Sequence, residues 1–153
     1  MIQLHRQDIK MIYFIIAFLF FAVNIFPQSE RFTKSLENGY AWLAMDDPAL
    51  MYSISKENYL SSILDRIRLT NEKHTEIASL SCKEDMKKLS NENKSDEISI
   101  EDVVIEMDKF YSRSDNLVIP IIFAYCHTIK KFAGTSSKEL DEYRDEVLLF
   151  CYE

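Results

Sequence analysis

The sequence predicts an all-α protein: a four- to five-helix bundle around one central apolar helix, set behind an N-terminal signal peptide. Three observations carry this expectation. Two glycines and three prolines leave too little turn punctuation for a multi-strand sheet. Apolar residues recur at helical spacing in several separate stretches. Residues 117–133 are apolar on nearly every side of a helix, which is the pattern of a buried one.

Length and charge narrow the reading further. A chain of 153 residues suits one domain that buries a real core without metals. The net charge is −7 and no basic face is visible. Nucleic acid is therefore set aside as a partner, because neutralising phosphates needs clustered Lys and Arg.

The chain opens with Arg6 and Lys10, then an apolar run from Met11 to Phe26 broken only by Asn24, then Pro27-Gln28-Ser29. That is the pattern of a secretory signal peptide, with cleavage expected near Ser29. Phe14, Phe18, Phe20 and Phe21 cover every face of the run, so it lacks the stripe of a soluble amphipathic helix. No cysteine lies near the expected cleavage site, which sets aside a lipoprotein. Left uncleaved, residues 11–26 anchor the bundle to a membrane, although they fall short of the about 20 residues a span needs. Residues 1–29 carry two cations (Arg6, Lys10) and one anion (Asp8), so the mature domain 30–153 has a net charge of −8. The expected location is periplasmic or secreted.

Within the mature domain, Leu36, Tyr40, Trp42 and Leu43 suggest a short helical or turn segment docked through its aromatics. Trp42 is read as a core anchor with its indole N–H hydrogen-bonded. Asp46-Asp47-Pro48 looks like a helix start, with the helix running to about Thr70. Leu50, Met51, Ile54, Tyr59, Ile63 and Ile67 form its stripe, widened by Leu60 and Leu64. The pattern fades from Asn71 to Glu97, where Ile77, Leu80, Met86 and Leu89 allow one or two helical turns inside an otherwise mobile segment.

Ser99 and Asp102 resemble a capping box ahead of a helix whose stripe is Ile100, Val103, Val104, Met107, Phe110 and Tyr111. Ser112 to Asn116 breaks that helix, and Asp115 or Asn116 is expected to cap the next. Pro120 is expected in the first turn of helix 117–133, a tolerated placement. Gly134 is expected to end the helix in the left-handed conformation. Ser136 and Glu139 open a last helix, whose stripe is Leu140, Tyr143, Val147 and Phe150/Cys151, antiparallel to its predecessor. Val104, Met107, Ile121, Ile122, Tyr125 and Ile129 should be buried together.

Three cysteines permit at most one bridge. If one forms, it joins Cys82 to Cys126 or to Cys151. Cys126 and Cys151 are set about 10 Å apart by helical rise, too far for a bond. Three buried free thiols are the alternative.

No catalytic pattern emerges. Cys126 and His127 are adjacent on a helix and point about 100° apart, so they form no dyad. No His or Cys pair has the spacing of a structural zinc site, and two isolated glycines make no phosphate loop. No metal or cofactor is therefore expected. Paired carboxylates such as Glu101/Asp102 and Glu106/Asp108 fall mostly in first turns or on outer faces, where capping and solvation explain them. Asp108 stands apart, close to the corner between two helices. There Asp108, Tyr111, Ser112 and Asn116 are read as a structural hydrogen-bond network, with a binding site as the alternative.

The corner also carries a resemblance. Asp108, Phe110-Tyr111-Ser112, Asn116 and Ile119-Pro120, after the Ser99-Ile100-Glu101 helix start, resemble a D-x-F-Y-S…N-x-x-I-P segment of a group of small secreted bacterial proteins. Those proteins also carry a glycine-x-x-tryptophan turn, here Gly39-Tyr40-Ala41-Trp42. In helical organisation the group is similar to Tai-type immunity proteins, which bind and block type VI amidase effectors in the periplasm. The resemblance implies a helical exported protein that works by binding another protein.

The residues suggest where such a partner binds. Ile105 points away from its helix's apolar stripe and sits among Glu101, Asp102, Glu106 and Asp108. An apolar residue ringed by carboxylates suits a basic partner. The plainer alternative is that Ile105 packs beneath the 71–97 segment. Two other functions stay open: a carboxylate-based envelope enzyme, supported if two acids converge in a cleft, and the membrane-anchored bundle.

Overall fold

The computed structural model describes residues 29–47, 54–70, 81–92 and 97–153, without the side chains of Ser29 and of residues 64–70. The signal-peptide pattern, Pro48 and residues 71–80 thus lie outside the described residues. The chain divides after Arg31. Of the first unit the described part is one 3-10 turn, Ser29–Arg31.

The unit Phe32–Glu153 is mostly helical, with six α-helices and one two-stranded sheet among the described residues. The sheet is a departure from the all-α expectation. Strands β1 (Phe32–Thr33) and β2 (Leu36–Glu37) pair antiparallel across Lys34-Ser35. Both turn residues have positive φ, 49° and 66°, without the Gly or Asn that normally marks such a turn. The hairpin is fixed from outside instead. Thr33 Oγ1 donates to the Val118 carbonyl at 2.6 Å and accepts from Asn38 Nδ2 at 3.0 Å. Asn38, fully buried, also caps α1 (Gly39–Ala44) through the Tyr40 N–H.

Helix α2 is Lys56–Thr70, so it starts later than the expected Asp46-Asp47-Pro48. Asp46 belongs to the turn closing α1, its N–H donating to the Leu43 carbonyl. Ser55 takes the N-terminal position of α2, accepting from Asn58 N–H, and Ile54 is exposed outside the helix. Helix α3 (Lys83–Asn91) lies in the stretch expected to be mobile. Cys82 is bonded to Cys126, with Cα atoms 5.1 Å apart, which selects one of the open pairings. Cys151 is free.

Helix α4 (Ile100–Tyr111) opens with the expected capping box in full: Ser99 Oγ accepts from Asp102 N–H, and the Asp102 carboxylate accepts from Ser99 N–H. Val103, Val104, Met107, Phe110 and Tyr111 are buried as their spacing requires. A 3-10 turn, Ser114–Asn116, follows. The central helix α5 then covers Ile121–Phe132 rather than 117–133, with Pro120 as its N-cap residue instead of inside the first turn. Proline's missing N–H and the extended ψ of 144° both suit that place.

Gly134 has φ +83° and ends α5 in a Schellman motif. Its N–H reaches the Lys131 carbonyl and that of Thr135 reaches Lys130. The Ser136/Glu139 capping box opens α6 (Ser137–Tyr152). Phe123 pairs with Phe150 and His127 with Tyr143, so α6 runs back along α5. Trp42, Met107, Tyr111, Ile119, Ile121, Ala124 and Val147 form the innermost core. Ile122, expected among them, is half-buried at its edge.

Candidate functional site

The buried residues of α4 centre on Met107, and at 100° per residue Ile105 falls near the opposite pole. The structure agrees: Ile105 is 51 % exposed. At that exposure Ile105 is not the covered side chain that the plainer alternative required. The ring of carboxylates around it is another matter, because three of the four, Asp102, Glu106 and Asp108, are engaged elsewhere.

Asp102 closes the capping box, and its bonds to the Ser99 backbone N–H and side chain hold its carboxyl below the usual range. Glu106 faces the other flank, mostly buried, and receives both Lys109 and Lys131. Those two ammonium groups, Lys109 first, hold its carboxyl low. Lys109 itself stands at i+4 from Ile105, so the pole is acidic only on one side. There Glu101 and Asp108 lie in one row, seven residues apart and roughly 20° from each other around the helix. Glu101 has no ion pair among the described residues.

Asp108 anchors a cluster that sequence reading missed. Its Oδ1 accepts from Trp42 Nε1 and from Lys56 Nζ, both at 2.7 Å. Lys56 also pairs with Asp46 Oδ2 at 2.5 Å and lies over the Trp42 ring, 5.0 Å from its centroid. The lysine side chain is 6 % exposed, while Asp46 and Asp108 are 64 % and 44 % exposed. Beside it the Tyr59 hydroxyl donates to Glu37. Two carboxylates do converge here, with the Lys56 ammonium standing between them. Nothing in the spacing of Lys56 announced this, since its partners are 10 and 52 residues away.

The corner network expected among Asp108, Tyr111, Ser112 and Asn116 is not formed as one network. Asp108 faces α1 and α2. The Tyr111 hydroxyl, fully buried, donates to the Ile119 carbonyl at 3.0 Å, and burial pushes that phenol well above its usual value. Ser112 bonds back to the Lys109 carbonyl. Asn116 does not cap α5. Its Nδ2 donates to the Phe110 carbonyl at 2.7 Å and its Oδ1 accepts from Arg144 Nε at 2.6 Å. Arg144 continues to Asp115 and Asp145. The corner is thus stitched to α6 rather than to itself, and Arg144 is the residue that local pattern could not supply.

Among the described residues no group of three or more His, Cys, Asp or Glu is placed to hold a metal, and no helix is long and apolar enough to cross a membrane. His127 is packed between the Phe110 and Tyr143 rings, 4.7 and 6.3 Å away, and burial pushes its imidazole down to about 4. Set against family models, curated proteins and solved structures, the chain matches none.

Proposed function

We propose that the chain is an exported helical bundle, delivered by residues 1–29 as a cleaved signal peptide, that acts in the cell envelope by binding another protein. The mode is immunity-like, as the corner resemblance implies. One observation carries the reading: Ile105 stands half exposed at the outer pole of α4, beside the Glu101/Asp108 row. An exposed β-branched residue next to a carboxylate that has no ion pair among the described residues is a small apolar anchor with an acidic rim. The partner that fits offers a shallow apolar pocket with a Lys or Arg on the α2 side of Ile105. A partner with its basic group on the other side meets Lys109 and Lys131 and is repelled. The Cys82–Cys126 bridge supports the location, because disulfides form in oxidising compartments.

The test is capture from envelope extract by the mature protein, followed by Ile105→Asp and Glu101→Lys. Both variants should melt like the parent, since the side chains lie outside the core. Capture of the same protein should weaken by tenfold or more for Ile105→Asp, roughly the ~1.4 kcal/mol expected of a modest hot spot. Undiminished capture by both variants rejects this face.

A further inference from the structure

Helix α3 is held to α5 by three contacts in register. Cys82 is bonded to Cys126, Asp85 Oδ2 accepts from Lys130 Nζ at 2.9 Å, and Lys88 Nζ donates to the Ala133 carbonyl at 2.7 Å. The α5 partners, 126, 130 and 133, share one face of that helix. Both chains advance together, so α3 runs alongside α5 in the same direction.

On its own α3 is weak. It has nine residues, below the ~12–15 a helix needs to persist alone in water. Its two large apolar residues are Leu89, which is buried, and Met86, which is 37 % exposed. Cys82 occupies the N-cap and makes no side-chain cap bond, and the only side-chain bond to its first turn is a 3.2 Å one from Lys83 N–H to Ser81 Oγ, among the described residues. Cys82 and Leu89 join the same apolar cluster as Met107, Ala124 and Val147, but those innermost residues lie on other helices.

We propose that the Cys82–Cys126 bridge is a redox latch on α3. Closed, it holds α3 over the 126/130/133 face of α5. Opened, it frees α3 and uncovers Cys126, Ile129 and Ala133 while α4, α5 and α6 stay folded. The opening agent is a dithiol donor. Two electrons and two protons pass to the bridge, its S–S bond breaks into two thiols, and the donor closes a disulfide of its own. Both bridge cysteines are buried, 4 % and 6 % exposed, so the donor reaches the sulfur only when α3 lifts transiently. The latch does not depend on export or on the Ile105 face.

The test uses the full chain under native conditions, treated with dithiothreitol until its mass shows two added hydrogens, and compared with the oxidised chain by hydrogen exchange. Peptides covering 83–91 should exchange on the order of a hundredfold faster after reduction, with those of α4 to α6 unchanged. The double variant Cys82→Ser/Cys126→Ser should reproduce the reduced pattern. Three results overturn the proposal: α3 equally protected after reduction, all helices losing protection together, or a bridge that native-state dithiothreitol does not open.

Discussion

Trp42 donates its indole N–H to Asp108 across 66 residues of sequence, at 2.7 Å, and so joins α1 to α4. The same carboxylate oxygen holds Lys56 of α2, so three helices meet on one acid. Removing it strands the indole N–H and leaves the Lys56 ammonium to Asp46 alone. Asp108→Ala should cost about 1–3 kcal/mol in chemical denaturation, the cost of an unsatisfied buried donor tempered by the exposure of the pair. Asp108→Asn, which keeps an acceptor for the indole, should cost less. A loss below about 0.5 kcal/mol for the alanine variant shows that the acid does not hold these helices.

Asn116 bridges the Phe110 carbonyl and Arg144 from a fully buried position. Asn116→Ala should therefore destabilise by about 1–3 kcal/mol, more than the ~1 kcal/mol of a lost helix cap. Arg144→Ala in the same background should add less than its cost in the parent, because the two share a bond. Full additivity in that cycle contradicts the bridge.

The two glycines are expected to respond for different reasons. A Cβ on Gly39 meets Tyr111 Cδ1 at 2.5 Å and the Leu117 Cα at 2.8 Å, and a buried ring and a backbone atom have little room to move. Gly39→Ala should cost about 1–3 kcal/mol through overpacking. Gly134 has open space around it and only its positive φ to defend, so Gly134→Ala should cost about 1–2 kcal/mol. The second melt should be rescued by Gly134→Asn, which tolerates that conformation, and the first should not be rescued by Gly39→Asn.

Acid should loosen the fold through His127. Its folded imidazole titrates at about 4 and an unfolded one near the usual 6.5. Between those values the unfolded chain binds a proton that the folded chain refuses, so stability falls as pH drops through the window. The carboxylates held low, Asp102, Glu106, Asp115 and Glu139, add stability above the ordinary carboxylate range and lose it further down as pH falls. His127→Gln should remove most of the loss between pH 6.5 and 5, read from denaturation midpoints. A variant that keeps the parent's full loss there shows that another group is responsible.

What was legible in the sequence was local. Ser99…Asp102 and Ser136…Glu139 act over three residues, and Gly134 acts on the turn it sits in, so spacing alone located them. The stripe of α4 was legible for the same reason, and so was Ile105's outward direction. Asn116 was misjudged because its oxygen serves Arg144, 28 residues on, in preference to the next helix. Asp108 lies close to the corner in sequence, whereas its partners, Trp42 and Lys56, lie on α1 and α2. The hairpin was invisible because Lys34 and Ser35 carry no turn signal and Thr33 is tied to the Val118 carbonyl, 85 residues on. The position of Cys126 on the α3 side of α5 decided the bridge, and no periodicity within residues 71–97 encoded it.

The tryptophan at the start of the Asp108 cluster has a practical consequence. It is the chain's only one, and its indole is buried, hydrogen-bonded to a carboxylate and overlain by an ammonium. Its fluorescence therefore reports the seating of α1 and of Lys56 of α2 on α4. Emission wavelength and far-ultraviolet ellipticity, followed together during unfolding, separate detachment of the N-terminal hairpin and α1 from melting of the helices beneath them.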